Sequence, residues 1–126
     1  MAKRSIPAAE GAAAVRTALA AAADGTQASR DDTATAVRYL LQVLADEAPG
    51  NSVEVRVPPF GATQAVEGPR HTRGTPPNVI EMDAATWLSL ATGTLPYADA
   101  LSSARLIASG SRADLSAYLP LRWTAS

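Results

Sequence analysis

Residues 52–83, SVEVRVPPFGATQAVEGPRHTRGTPPNVIEMD, decide the fold. They hold two alternating runs, Val53-Glu54-Val55-Arg56-Val57 and Ala62-Thr63-Gln64-Ala65-Val66, on either side of Pro58-Pro59-Phe60-Gly61. A third run, Asn78-Val79-Ile80-Glu81-Met82, follows a basic loop broken by Pro and Gly. Apolar residues at every second position, bounded by Pro and Gly, are the pattern of half-buried strands. Val53, Val55 and Val57 then share one face, and Glu54 and Arg56 the other. The runs predict a β-meander with one face toward a core and one toward water.

Working outward, the flanking segments read as helices able to cover the apolar face. Pro7 suits a first helical position, and residues 8–23 form a strong helix by propensity with Val15, Leu19 and Ala22 as a thin apolar stripe. Asp24-Gly25 stops it, and residues 26–30 are a polar linker. Asp31 or Asp32 is the expected cap of the next helix, in which Val37, Leu40, Leu41, Leu44 and Ala48 recur at helical spacing. Arg38, Gln42 and Asp46 fall on its other side, and Pro49-Gly50 ends it. Beyond the strands, Asp83 caps a helix over residues 84–92 that carries Trp87, Leu88, Leu90 and Ala91 and is closed by Gly93. A short helix over 96–103 is expected to turn Tyr97, Ala100 and Leu101 inward. Residues 105–109 read as a last strand. Ser111-Arg112-Ala113-Asp114 has the form of a capping box before a final helical turn over 115–119. A sheet covered on one side by helices makes the fold class α+β. The division is an N-terminal Ala-rich helix with its linker, residues 1–30, and a sheet-containing domain, residues 31–126.

The chain has 126 residues, enough for one modest core, with only 5% aromatics and abundant Ala. Such a core leaves room for a ligand or simply lets helices approach closely. A net charge of -1 gives no support to nucleic-acid binding or electrostatic membrane attachment. Cysteine is absent, which removes thiolate chemistry and fits a reducing cytoplasm. No apolar stretch approaches the roughly 20 residues that span a bilayer, so no stable membrane insertion is expected. The basic start at Lys3-Arg4 is followed by no apolar run before Glu10, which argues against a secretory signal.

The order of elements, and three stretches in particular, carry a resemblance. Asp83-Ala84-Ala85-Thr86-Trp87-Leu88-Ser89-Leu90-Ala91-Thr92-Gly93 is an Asp-capped helix ending in a Thr-Gly step. Tyr97-Ala98-Asp99-Ala100-Leu101 and Ala104-Arg105-Leu106-Ile107-Ala108-Ser109-Gly110 follow it as helix and strand. More specific is Pro58-Pro59-Phe60-Gly61 together with residues 67–78. The chain resembles, over about residues 32–121, the small bacterial, mainly actinobacterial, branch of the sterol carrier family. The resemblance implies an antiparallel or mixed sheet of about five strands, helices on one face, and an apolar tunnel between them. It implies non-covalent binding of a sterol, fatty acid or acyl-CoA without catalysis. The chain departs from the eukaryotic carriers in its first Ala-rich helix, in a strand that is hard to find, and in a short C-terminal helix.

Few residues carry chemistry. His71 is the only histidine. With no Cys and no second His, it would need several carboxylates to complete the three or four ligands of a zinc site. Gly110-Ser111-Arg112 lacks the Gly-x-Ser-x-Gly elbow of a hydrolase nucleophile. No catalytic residue, metal ligand or cofactor is therefore assigned. The loop Arg70-His71-Thr72-Arg73-Gly74-Thr75 is the one dense polar cluster. It reads as an anion clamp at the mouth of an apolar cavity, because guanidinium offers paired donors to carboxylate or phosphate. It reads equally as a rigid loop whose arginines pair with Glu67, Glu81 or Asp83, the commoner fate of charged loops. Phe60, in the turn, plugs the core edge or gates a pocket. The ligand-binding set is Val55, Val57, Phe60, Val66, Arg70, His71, Arg73, Trp87, Leu90 and Leu101, with a lipid or acyl ligand as partner and no protein partner named. The alternative is a protein-interaction or assembly module that keeps the fold without a tunnel.

Overall fold

A computed structural model describes residues 5–69 and 78–124. The helix α1 spans Ala8–Ala23, with Pro7 at its N-cap. The helix α2 spans Arg30–Glu47 and is capped by Ser29, whose Oγ accepts the Asp32 amide at 3.0 Å. This corrects the expectation of an aspartate cap. Asp31 and Asp32 lie inside the first turn, where their charge still favours the positive end of the helix dipole. The apolar stripe of α2 behaves as its spacing requires: Val37, Leu40, Leu41, Leu44 and Ala48 are all buried, while Arg38 and Asp46 face water.

Three strands come from the stretch at residues 52–83: β1, Val53–Val57; β2, Gly61–Ala65; and β3, Val79–Met82. They do not form a meander. β1 and β2 make an antiparallel hairpin, but β3 lies on the other side of β1 and parallel to it. β2 and β3 therefore run in opposite directions on either side of β1. After α3, Ala84–Thr92, and α4, Tyr97–Ser102, the strand β4, Leu106–Ser109, adds antiparallel to β3. The described residues thus form a four-stranded mixed sheet ordered β2-β1-β3-β4, against the expected five.

Register fixes the two faces of this sheet. Val55 pairs with Thr63 on one side and Ile80 on the other, and Ile80 pairs in turn with Ala108. On this face Val53, Val55, Val57, Ala65, Ile80, Met82 and Leu106 are buried beneath α2 and α3. The opposite face carries Glu54 and Arg56, joined by a 2.8 Å ion pair, together with Gln64, Glu81 and Ile107. α1 packs on α2 and touches α3, forming an outer layer. Gly11 permits that approach, since a Cβ there would run into the Tyr39 ring. The Gln42 side-chain amide binds both backbone groups of Ile6, at 2.9 and 3.0 Å, and holds the start of α1.

The chain after β4 departs from expectation. No capping box forms at Ser111: the Asp114 amide, which its hydroxyl would have to accept, donates to the Arg112 carbonyl at 2.9 Å, and the Arg112 amide goes to Asn78 Oδ1 at 3.0 Å. No helix forms over 115–119 either. The Asp114 carboxylate accepts the Ser116 amide at 2.8 Å, closing a local turn, and Pro120 leaves too little chain for a helix. Leu115 and Leu121 are nonetheless buried, and the Leu121 amide donates to the Ala91 carbonyl at 2.9 Å.

Candidate functional site

Asp83 Oδ1 caps α3 by accepting the Thr86 amide at 2.8 Å, and Gly93 closes it in the left-handed region at φ 91. Held between those two stops, Trp87 and Leu90 point into the layer between helices and sheet, with 0% and 1% exposure. There they join Val55 and Val57 in the same cluster as Leu40 and Leu44. The Trp87 indole N–H donates to the Val37 carbonyl at 3.3 Å, which ties α3 to α2. Four of the six residues expected to line an apolar interior, Val55, Val57, Trp87 and Leu90, are thus brought together and shut off from solvent.

Phe60 and Val66 lie at the edge of this cluster and pack against it. Phe60 is held from α2: the Arg30 guanidinium stands 5.4 Å above its ring, and Arg38 Nε donates to its carbonyl at 2.7 Å. Val66 stands outside β2 rather than in it. Its amide turns to the Ala48 carbonyl at 2.7 Å, and its φ of 70 is strained for a β-branched residue.

Leu101 is not turned inward. It is 48% exposed, whereas Tyr97 and Ala100 on the same helix are buried as expected. α4 has only six residues, so it presents a narrow inner face already filled by Tyr97 and Ala100. Arg70, His71 and Arg73 lie outside the described residues. Among the described residues no group of three or more His, Cys, Asp or Glu is placed to hold a metal ion, and no helix is long and apolar enough to cross a membrane.

Two further features were not legible in the sequence. One is a groove of about 480 Å³ between the end of α2 and the C-terminal segment, lined by Glu47, Ala117, Tyr118, Leu119, Pro120 and Arg122. It shares no residue with the expected ligand-binding set. The other is the Tyr97 hydroxyl, which is buried facing the Leu115 amide and finds no acceptor for its own proton. Burial pushes its pKa up, the charge of Asp114 adds to this, and the Leu115 amide opposes it.

Comparison with known proteins bears on these elements together. Curated proteins give no match to the chain. A family model described as a bacterial SCP ortholog matches residues 29–121, from the α2 cap to Leu121. That span takes in the whole sheet and the three helices nearest it, and the chain belongs to this bacterial sterol carrier protein-like family.

Proposed function

We propose that the domain binds an apolar ligand (a sterol, fatty acid or acyl-CoA) non-covalently and without catalysis, between the sheet and the helices. The observation that supports this most is the meeting of Val55 and Val57 from β1 with Trp87 and Leu90 from α3 in one apolar layer of a chain that belongs to a carrier-like family. Burying a methylene is worth about 0.8 kcal/mol, so an aliphatic chain gains several kcal/mol by entering such a layer. Because these side chains are closed to solvent, a ligand enters by parting the helices from the sheet. Phe60 and Val66 stand at one edge of that layer, and Leu101 belongs to its rim rather than its wall.

The loop bearing Arg70, His71 and Arg73 is the proposed partner of an anionic head. The assembly reading expected an apolar patch on α1. The face α1 has, Ala12, Ala14, Val15 and Ala18, is instead buried by its packing on α2.

Native mass spectrometry of gently purified protein tests the reading. A co-purified lipid is the expected result, and bare protein from several expression hosts, with no uptake of added lipid, overturns it. Arg70→Ala with Arg73→Ala tests the loop. It should weaken a long-chain fatty acid by about 1.5–3 kcal/mol per charged hydrogen bond lost, and leave the alcohol of equal length unchanged. Equal weakening of both ligands, together with lost stability, makes the arginines structural tethers.

A further inference from the structure

α2 closes one side of the apolar layer by lying on β2. The face that β2 turns toward it carries only small side chains. Register sets Gly61, Thr63 and Ala65 opposite Val57, Val55 and Val53. A Cβ at Gly61 would stand 3.5 Å from Leu41 Cδ1 and 3.6 Å from Arg38 Cγ, so these two side chains of α2 lie directly over the end of the hairpin. Val57, opposite Gly61, is one of the four interior residues and has 0% exposure. Phe60, the residue before Gly61, is half-buried and packs against the same cluster. At this end the layer is therefore closed by Phe60, Leu41 and the stem of Arg38.

The two ends of β2 are fastened to α2 by bonds of different kinds. Just beyond Ala65, the Val66 amide donates to the Ala48 carbonyl at 2.7 Å, a backbone bond at the buried C-cap of α2. At the Gly61 end the fasteners are two exposed arginines. Arg38 Nε donates to the Phe60 carbonyl at 2.7 Å, and the Arg30 guanidinium stands 5.4 Å from the centroid of the Phe60 ring. Among the described residues, the bond to Phe60 is the one polar contact that the Arg38 side chain makes. Solvent-exposed bonds from long side chains add little stability, and segments held by them open far more often than the whole fold does.

We propose that the Phe60 turn is the entrance to the apolar interior and that Arg38 is its latch. Release of the Phe60 carbonyl lets residues 58–61 swing away from α2. The Phe60 ring then leaves the cluster and uncovers Val57, the first apolar wall a ligand meets. The latch re-forms behind the ligand as it does in the empty protein. Its strength therefore sets how fast ligand exchanges, not how tightly it binds. This rests on the lipid-binding reading and adds the route to it.

Stopped-flow mixing of the full chain with the fluorescent fatty acid cis-parinaric acid tests the entrance. Arg38→Met keeps an aliphatic stem over Gly61 and removes the donor. It should speed uptake and release together about three- to ten-fold, with Kd within about two-fold of the parent. Glu47→Ala is the control, since it breaks a comparable exposed bond, to the Arg122 amide at the far end of α2, and should leave both rates unchanged. The Phe60 amide, held by the Val57 carbonyl at 2.9 Å, reports the turn directly. Its hydrogen exchange should quicken in Arg38→Met and not in Glu47→Ala. Unchanged rates in Arg38→Met place the entrance elsewhere and sink the proposal while lipid binding stands. Equal quickening in Glu47→Ala sinks it too, because the effect is then one of overall stability. A weaker Kd with unchanged uptake makes Arg38 a ligand contact and overturns the latch. If the parent takes up no fatty acid, the lipid-binding reading fails and the entrance with it.

Discussion

At Gly11 local propensity and tertiary packing pull in opposite directions. Alanine is favoured over glycine inside a helix by about 1 kcal/mol, so propensity alone makes Gly11→Ala stabilising. The Tyr39 ring occupies the space its Cβ would need. We expect Gly11→Ala to lower stability in a denaturant titration, and to raise it in a Tyr39→Ala background, where the obstacle is gone. A stabilised single variant would show that α1 can shift on α2 freely. Val55 is a simpler case, because period-two alternation already placed it in the core and its exposure is 0%. Val55→Asp should abolish the cooperative melt, since an isolated carboxylate there has no partner to offset its lost hydration. A normal circular-dichroism transition would contradict the assigned face. Two residues that sequence reasoning misplaced are Leu101, left exposed while Tyr97 and Ala100 fill the inner face of the short α4, and Ser111, whose cap is lost because the Asp114 amide goes to the Arg112 carbonyl.

At the scale of elements, helix ends were legible where the cap is a short-range bond. Asp83 and Gly93 delimit α3 as their residue types require. The cap of α2 was read two or three residues late, because Ser29 and two aspartates are all good caps and only the backbone path selects one. Ser29→Ala should cost about 1 kcal/mol, and Asp31→Ala or Asp32→Ala less, because those two only supplement the dipole. Thermal unfolding of the three single variants ranks them, and an equal loss for all three would assign the cap wrongly. The strands were found by their alternation, and the antiparallel β1–β2 pair with them, yet the place of β3 was not. Alternation records which face a residue takes and nothing about which strand lies beside it. Hence β3, read as the third strand of a meander, sits parallel to β1 instead.

For the whole molecule, the boundary after residue 30 remains a proposal with a direct test. The family match begins at residue 29, but Val15 is 0% exposed and belongs to the central cluster with Ala14 and Ala18. A chain starting at Ser29 keeps the sheet, α2, α3 and α4. It should still melt cooperatively while losing about 2–4 kcal/mol, the burial of one Val and several Ala side chains. A broad, non-cooperative transition would make α1 part of the folding unit. The sequence by itself determined the α+β class, the extents of α1 and α3, the buried stripe of α2 and the inward face of β1, because each follows from periodicity or capping within a few residues. Only the tertiary structure decided the strand order, the loss of a C-terminal helix, the outward turn of Leu101 and the unsatisfied hydroxyl of Tyr97. Strand order and the surroundings of Tyr97 depend on segments far apart in the chain, and the C-terminal turn and Leu101 on how a short segment seats against the core, which periodicity and capping do not record.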